Sequence, residues 1–170
     1  MGEAVRRTSG TDADLRPWNR PSLSLSPVSA VNPKLQAIAD EISSVPPEMQ
    51  VELLLEHARA FPPLPERFRE ARAAGIGRVT ECQAEVYFFP EVADGRVRIH
   101  ADIPGEAPTQ RALVGILMEA YDGASPEDVA AIPDDLLAQL GVARLLGVQR
   151  QQGFAGVLYR LKHGVAAASE

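Results

Sequence analysis

One residue in this 170-residue chain has no duplicate of its chemistry: Cys82 is the only cysteine. A single thiol can form neither an internal disulfide nor a self-contained cysteine-rich metal site, which leaves it nucleophilic attack, sulfur exchange or inert burial. Attack requires the thiolate, and an ordinary thiol with a pKa of about 8.5 is only a few per cent ionised at neutral pH. Glu81 and Glu85 beside it oppose ionisation, whereas Arg78, or a distant cation such as Arg150, would favour it. If the segment is a regular strand, Cys82 shares a face with Ala84, Val86 and Phe88, while Glu81, Gln83, Glu85 and Tyr87 face the other way. Free cysteines are among the most buried residue types, so the alternation by itself favours burial.

Other constellations carry less chemistry. His57, His100 and His163 fall in a predicted helix, a predicted strand and the end of the last helix, with no ligand spacing, and no metal site is expected. A spatial Cys82–His100 pair is the one hydrolytic arrangement these residue types admit, and it would make the chain an independent cysteine enzyme. Gly75-Ile76-Gly77 precedes a strand without the strand–loop–helix context of a dinucleotide loop and reads as a turn. Glu127-Asp128 and Asp134-Asp135 read as helix-terminal, solvated charges rather than paired catalytic carboxylates.

The elements that must position Cys82 follow from periodicity and punctuation. Asn32-Pro33 suits a helix start, ahead of Leu35, Ile38, Ala39 and Ile42 on one face. After Pro46-Pro47, a second helix carries Val51, Leu54, Leu55 and Ala58. Phe61-Pro62-Pro63-Leu64-Pro65 must be extended, because each proline biases the residue before it away from the helical region. Two strands are predicted, Val79 to Phe89 and Arg96 to Ala101, joined around Asp94-Gly95. Helix then returns: Ala112, Leu113, Ile116, Leu117 and Ala120 form a stripe ending near Gly123, and Ser125-Pro126-Glu127-Asp128 opens another helix. Leu140-Gly141 stops that region, and a final helix runs from about Arg144 to Lys162 with Leu145, Val148, Phe154, Val157, Leu158 and Leu161. The expected fold class is α+β, a small antiparallel β-sheet packed against several helices.

Composition bounds the function. With 45% hydrophobic residues the chain can bury one sizeable core, so one domain is expected, over 32–164. Residues 1–31, rich in Ser and Pro, read as a disordered N-terminal tail, and 165–170 as a disordered C-terminal tail. Arg6, Arg7, Arg16 and Arg20 would suit a transit peptide, but Glu3, Asp12 and Asp14 argue against one. A net charge of −6 and 5% aromatic residues exclude a basic, stacking face for nucleic acid. No stretch approaches the ~18 apolar residues of a membrane span, so a cytoplasmic protein with no membrane association is expected.

The segment Arg78-Val79-Thr80-Glu81-Cys82-Gln83-Ala84-Glu85-Val86-Tyr87 resembles the active-cysteine region of the SufE family, sulfur acceptors of Fe–S cluster assembly. That family carries Val-x-Gly-Cys-Gln-Ser-x-Val-Trp/Tyr, matched by Val79, Cys82, Gln83, Val86 and Tyr87. The likeness continues through Pro63-Leu64-Pro65, Ala101-Asp102, Tyr121, Gly123, Pro126, Leu140-Gly141, Arg150 and Gly153. It departs at Glu81, where the family has glycine, at Ala84, where it has serine, and at Gln149-Arg150-Gln151-Gln152-Gly153, where it has Ser-Arg-x-Asn-Gly.

The resemblance implies a SufE-like single domain that is not itself an enzyme. Cys82 would receive persulfide sulfur from a SufS-like cysteine desulfurase, stimulate that enzyme, and pass the sulfur to a downstream Fe–S scaffold. Glu81, Gln83, Arg150 and Gly153 would form the partner loop around it. The chain would hold no cofactor, since the pyridoxal phosphate (PLP) belongs to the desulfurase, and a homodimer stays open. Glu81 and the altered Arg150 segment support an alternative, a regulatory module that docks on a desulfurase without carrying sulfur.

Overall fold

The computed structural model of the protein describes residues 32–170. The N-terminal tail expected over 1–31 lies outside them. Asn32 begins the described chain as both cap and anchor: its Oδ1 accepts from the backbone N–H of Lys34 (3.0 Å), and its Nδ2 donates to the carbonyl of Ala120 (2.6 Å). It thereby satisfies a helix-end donor and fixes where the helix enters the core. Helix α1 (Pro33–Ser43) buries Leu35, Ile38 and Ile42 as its spacing requires. In α2 (Pro47–Glu56) Leu54 is buried, whereas Val51, expected on the same face, is exposed. The proline-rich residues 61–65 form neither helix nor strand, and a 3₁₀ turn at Glu66–Phe68 leads into a short helix absent from the sequence reading, α3 (Arg69–Ala73).

The sheet is a two-stranded antiparallel hairpin, β1 (Tyr87–Ala93) and β2 (Arg96–Asp102), in register from Tyr87↔Asp102 to Ala93↔Arg96. Asp94 (φ 53°) and Gly95 (φ 70°) form its two-residue turn, in the left-handed conformation that matches strand twist. The outer edge of β2 is closed by the chain after the next helix. Val97 N–H donates to Ala124 O (2.9 Å), Gly123 N–H to Val97 O (2.7 Å) and Ile99 N–H to Asp122 Oδ1 (2.9 Å). An edge so paired offers no template to another strand.

The first strand is shorter than its composition suggests. Residues 79–86 are irregular, because their backbone groups bond among themselves: Val79 N–H to Val86 O (2.8 Å), Cys82 N–H to Val79 O (3.2 Å) and Val86 N–H to Ala84 O (2.9 Å). Cys82 therefore sits in a closed loop rather than on a regular strand. Over 81–86 the apolar alternation survives in burial, since Cys82 and Val86 are buried while Glu81, Gln83 and Glu85 are exposed, but Val79 and Tyr87, expected on the opposite face, are buried as well.

Helix α4 (Pro108–Tyr121) buries Ala112, Leu113, Ile116, Leu117 and Ala120, the expected stripe. Ser125 closes a capping box on α5 (Pro126–Ala130) with Asp128, as its motif predicts. A four-residue α6 (Leu136–Gln139) ends ahead of Gly141. The last helix, α7 (Val148–Ala168), begins later than expected because Ala143–Leu145 forms a separate 3₁₀ turn. It also continues past residue 164, where a tail was expected, and Val165 is only 2% exposed. Burial of that side chain in the common core is what carries the helix through. Helix α7 packs along β1, α4 spans the core between α1, α2 and the sheet, and the whole is an α+β domain with one core.

Candidate functional site

The Cys82 loop lies on the first half of α7, and two missing side chains make the seat. A Cβ added at Gly153 would stand 2.8 Å from the Cys82 sulfur and 2.8 Å from Gln110 Nε2. One added at Gly156 would stand 2.8 Å from Glu81 Oε2. Real carbon contacts are not that short, so the two glycines are the space that Cys82 and Glu81 occupy. They are three apart, hence on one face of the helix. Above them the sulfur is almost fully covered: Cys82 is 4% exposed and belongs to the central core.

Among the described residues the sulfur has one polar side-chain contact, Gln110 Nε2 at 3.7 Å, from the first turn of α4. Burial pushes the Cys82 thiol above its ordinary pKa, the Gln110 contact opposes this, the Glu81 charge adds to it, and Arg78 and Arg160 oppose it. Desolvation is the largest of these, so the resting group is a protected thiol. Arg78 is shared with Glu85 (3.1 Å), which dilutes its pull on the sulfur. Thr80 Oγ1 donates to Glu81 Oε2 across 3.5 Å, leaving the Glu81 carboxylate largely solvated over Gly156.

Beside the loop a cavity of about 600 Å³ opens between Gln83 and Ala84, the Glu106–Gln110 segment and the Gly147–Arg150 turn. Gln83 and Arg150, 67 residues apart, both line it, together with Gln110, which contacts the sulfur.

A family model described as an Fe-S metabolism associated domain, SufE, matches residues 36–165. The chain belongs to the SufE family. It is 32% identical to an uncharacterised SufE-like protein of Mycobacterium tuberculosis, over 84% of this chain and 98% of that one. It is also 36% identical to a chloroplastic quinolinate synthase of rice, over 63% of this chain but only 17% of the plant protein. A solution structure of a hypothetical protein from Thermus thermophilus superposes with a TM-score of 0.70 at 33% identity, covering 82% of this chain and 98% of that one. Membership carries an association with Fe–S metabolism.

Within this SufE domain the five residues singled out from the sequence take distinct places. Cys82 and Gly153 touch, Glu81 lies over Gly156, and Gln83 and Arg150 line the neighbouring cavity. Arg160 is the arginine of α7 among the groups with the largest effect on the thiol, and its buried Nε has no hydrogen-bond partner among the described residues. Gln110, Gly156 and Arg160 were missed by the sequence reading. The Gly153, Gly156, Arg160 spacing of three and four was the available signal for two of them, since it sets all three on one helix face. Gln110 had none.

The Cys82–His100 pair is not formed. His100 sits on β2 against Phe68 (centroids 5.0 Å) and Glu91 (3.3 Å), while the sulfur's hydrogen-bond partner is Gln110. His57 pairs with Glu119 (3.1 Å) and His163 stacks on Tyr159 (3.7 Å), so the histidines are dispersed. Among the described residues no group of three or more His, Cys, Asp or Glu could hold a metal ion, and no helix is long and apolar enough to cross a membrane. Asp102, part of the Ala-Asp element of the resemblance, is ion-paired with Arg72, which also lies over the Tyr87 ring (4.8 Å). These contacts fasten the start of β1, and with it the base of the cysteine loop.

Replacing Glu81 by Gly removes the negative charge nearest the thiol. Glu81→Gly should lower the Cys82 pKa and speed alkylation by iodoacetamide at neutral pH by about two- to fourfold at low ionic strength. The gain should shrink as salt screens a solvated carboxylate. An unchanged rate at low salt would show that Glu81 does not act on the sulfur through its charge.

Proposed function

We propose that this protein is a sulfur carrier: Cys82 accepts sulfur from the persulfide of a PLP-dependent cysteine desulfurase, and in doing so the carrier stimulates that enzyme and supplies Fe–S cluster assembly. The observation that carries the reading is the buried sulfur of the chain's only cysteine, held on a seat made by two helix glycines within a SufE domain. A carrier has to shelter a reactive sulfur between partners, and an apolar pocket with one amide contact does that.

The step balances without an external oxidant. The Cys82 thiolate attacks the outer sulfur of the donor's persulfide, an S–S bond forms to Cys82, the donor's S–S bond breaks, and the donor cysteine leaves as thiolate. Because the resting thiol is buried with a raised pKa, the attack must be coupled to the loop turning its sulfur toward the donor, where solvation restores the thiolate. The cavity walled by Gln83 and Arg150 is the adjoining surface from which a donor segment would approach.

Intact-mass analysis after incubation with a cysteine desulfurase and L-cysteine tests this. The expected result is a gain of about 32 Da, one sulfur atom transferred by thiolate exchange, localised to the Cys82 peptide and removed by a reductant. No gain with any of several desulfurases would sink the carrier reading.

A further inference from the structure

Gln110 is a side chain that neither the sequence motif nor the loop supplies, yet it makes the sulfur's one polar side-chain contact among the described residues. Its Nε2 stands 3.7 Å from Cys82 Sγ, and its Oε1 is buried with no hydrogen-bond partner among them. The absent side chain of Gly153 is the space in which amide and sulfur meet, with a Cβ there 2.8 Å from each. A buried carbonyl oxygen without a partner is costly, so a side chain held in this state calls for a role that uses the oxygen.

A primary amide offers a donor and an acceptor on one planar group, and turning it half a revolution about its last torsion exchanges them. The sulfur presents different needs through a transfer cycle. A thiol donates S–H, whereas a thiolate or the terminal sulfur of a persulfide accepts. We propose that Gln110 is a positioning residue for Cys82: its Nε2, which already faces the sulfur, donates to the thiolate and the persulfide, and its amide turns Oε1 to the sulfur to accept S–H from the thiol. The persulfide part rests on the carrier reading above; the thiol and thiolate part does not.

The charged groups facing the sulfur are Glu81 and Arg78 on the loop's own chain and Arg160 from α7. Helix α4 brings no charge, because Arg111, next to Gln110, is turned to the Ile103 carbonyl (2.8 Å) and the Phe61 ring. Gln110 is thus the neutral partner among these charges, able to bond both the thiol and the thiolate, with the bond to the charged form the stronger. A hydrogen bond donated to the charged form favours ionisation, and the effect of Gln110 on the thiol has that direction.

The test is the pH profile of iodoacetamide alkylation, which reports Cys82 alone because no other cysteine exists. Gln110→Met keeps an unbranched side chain of similar length but donates nothing; Gln110→Glu keeps the shape and adds a negative charge. The expected result is an alkylation midpoint raised by about one pH unit in Gln110→Met, about tenfold less thiolate at a given pH below the midpoint, and raised further in Gln110→Glu. Thermal unfolding of each variant reports whether it is folded. A midpoint unchanged or lowered in folded Gln110→Met would mean that the amide only fills space, and the proposal would be overturned. If Gln110→Met does not fold, Gln110→Leu, which likewise donates nothing and adds no charge, is read in the same way. The two readings separate cleanly: wild type that takes no sulfur while the midpoints shift loses the carrier function and keeps the Gln110 assignment, and sulfur uptake with unshifted midpoints does the reverse.

Discussion

Cys82→Ser should fold as the wild type does and accept no sulfur at all. The change replaces one buried atom by a slightly smaller one, and the flexible Gln110 amide has to close in from its 3.7 Å sulfur distance to hydrogen-bond the hydroxyl. A satisfied buried hydroxyl costs little, so the unfolding midpoint should move by no more than a few degrees. The chemistry should be lost completely, because no other thiol exists to take its place. Mass analysis with a desulfurase and L-cysteine reads the loss, and the desulfurase turnover rate measured in the same mixture decides between the carrier and a docking module. A carrier variant without its acceptor should lose stimulation with sulfur uptake. If Cys82→Ser stimulates as strongly as wild type, the regulatory module that docks without carrying sulfur becomes the better account.

Gly153→Val attacks the seat rather than the sulfur. A valine Cβ would meet the sulfur and the Gln110 amide at 2.8 Å and the Cys82 Cα at 3.5 Å, and its two methyl groups have no free space on that face. The loop has to lift off α7. Overpacking of this kind costs about 1–3 kcal/mol, offset in part by the better helix propensity of Val over Gly. The midpoint of thermal unfolding should fall accordingly. The larger effect should appear at the thiol: with the sulfur pushed toward solvent, the desolvation that dominates its raised pKa is relieved, and alkylation at neutral pH should accelerate by about tenfold or more. Unchanged alkylation with unchanged stability would show that the loop does not rest on Gly153 in solution. Sulfur acceptance by this variant should be less protected, with its persulfide lost faster to small thiols than that of the wild type.

Local structure was largely legible because it is set by neighbours in the chain. Asn32-Pro33 and Ser125-Pro126-Glu127-Asp128 start helices through their own side chains, and Asp94-Gly95 makes a hairpin turn from backbone preferences alone. The cysteine loop was misread as strand for a physical reason. Val79, Val86 and Tyr87 are β-formers and residues 81–86 alternate in polarity, but alternation specifies which side chains are buried, and a closed loop on a helix satisfies it as well as a strand does. The early end assigned to the last helix has a similar origin. Ala166, Ala167 and Ala168 carry no amphipathic signal of their own and are helical as the continuation of a helix whose Val165 reaches the core.

The sequence by itself determined that there is one thiol, that its near neighbours alternate in polarity, and that its motif and the residues matching it downstream are those of the SufE family. Only the tertiary structure decided the state of that thiol. Gln110 reaches it from 28 residues away, and Gly153, Gly156 and Arg160 from the far end of the chain, while His100, which the residue types favoured, is held by Glu91 and Phe68. The reason is that ionisation and shelter of a buried sulfur are sums over everything within a few ångströms of it in space. Spacing along a chain fixes such neighbours only within one helix or strand.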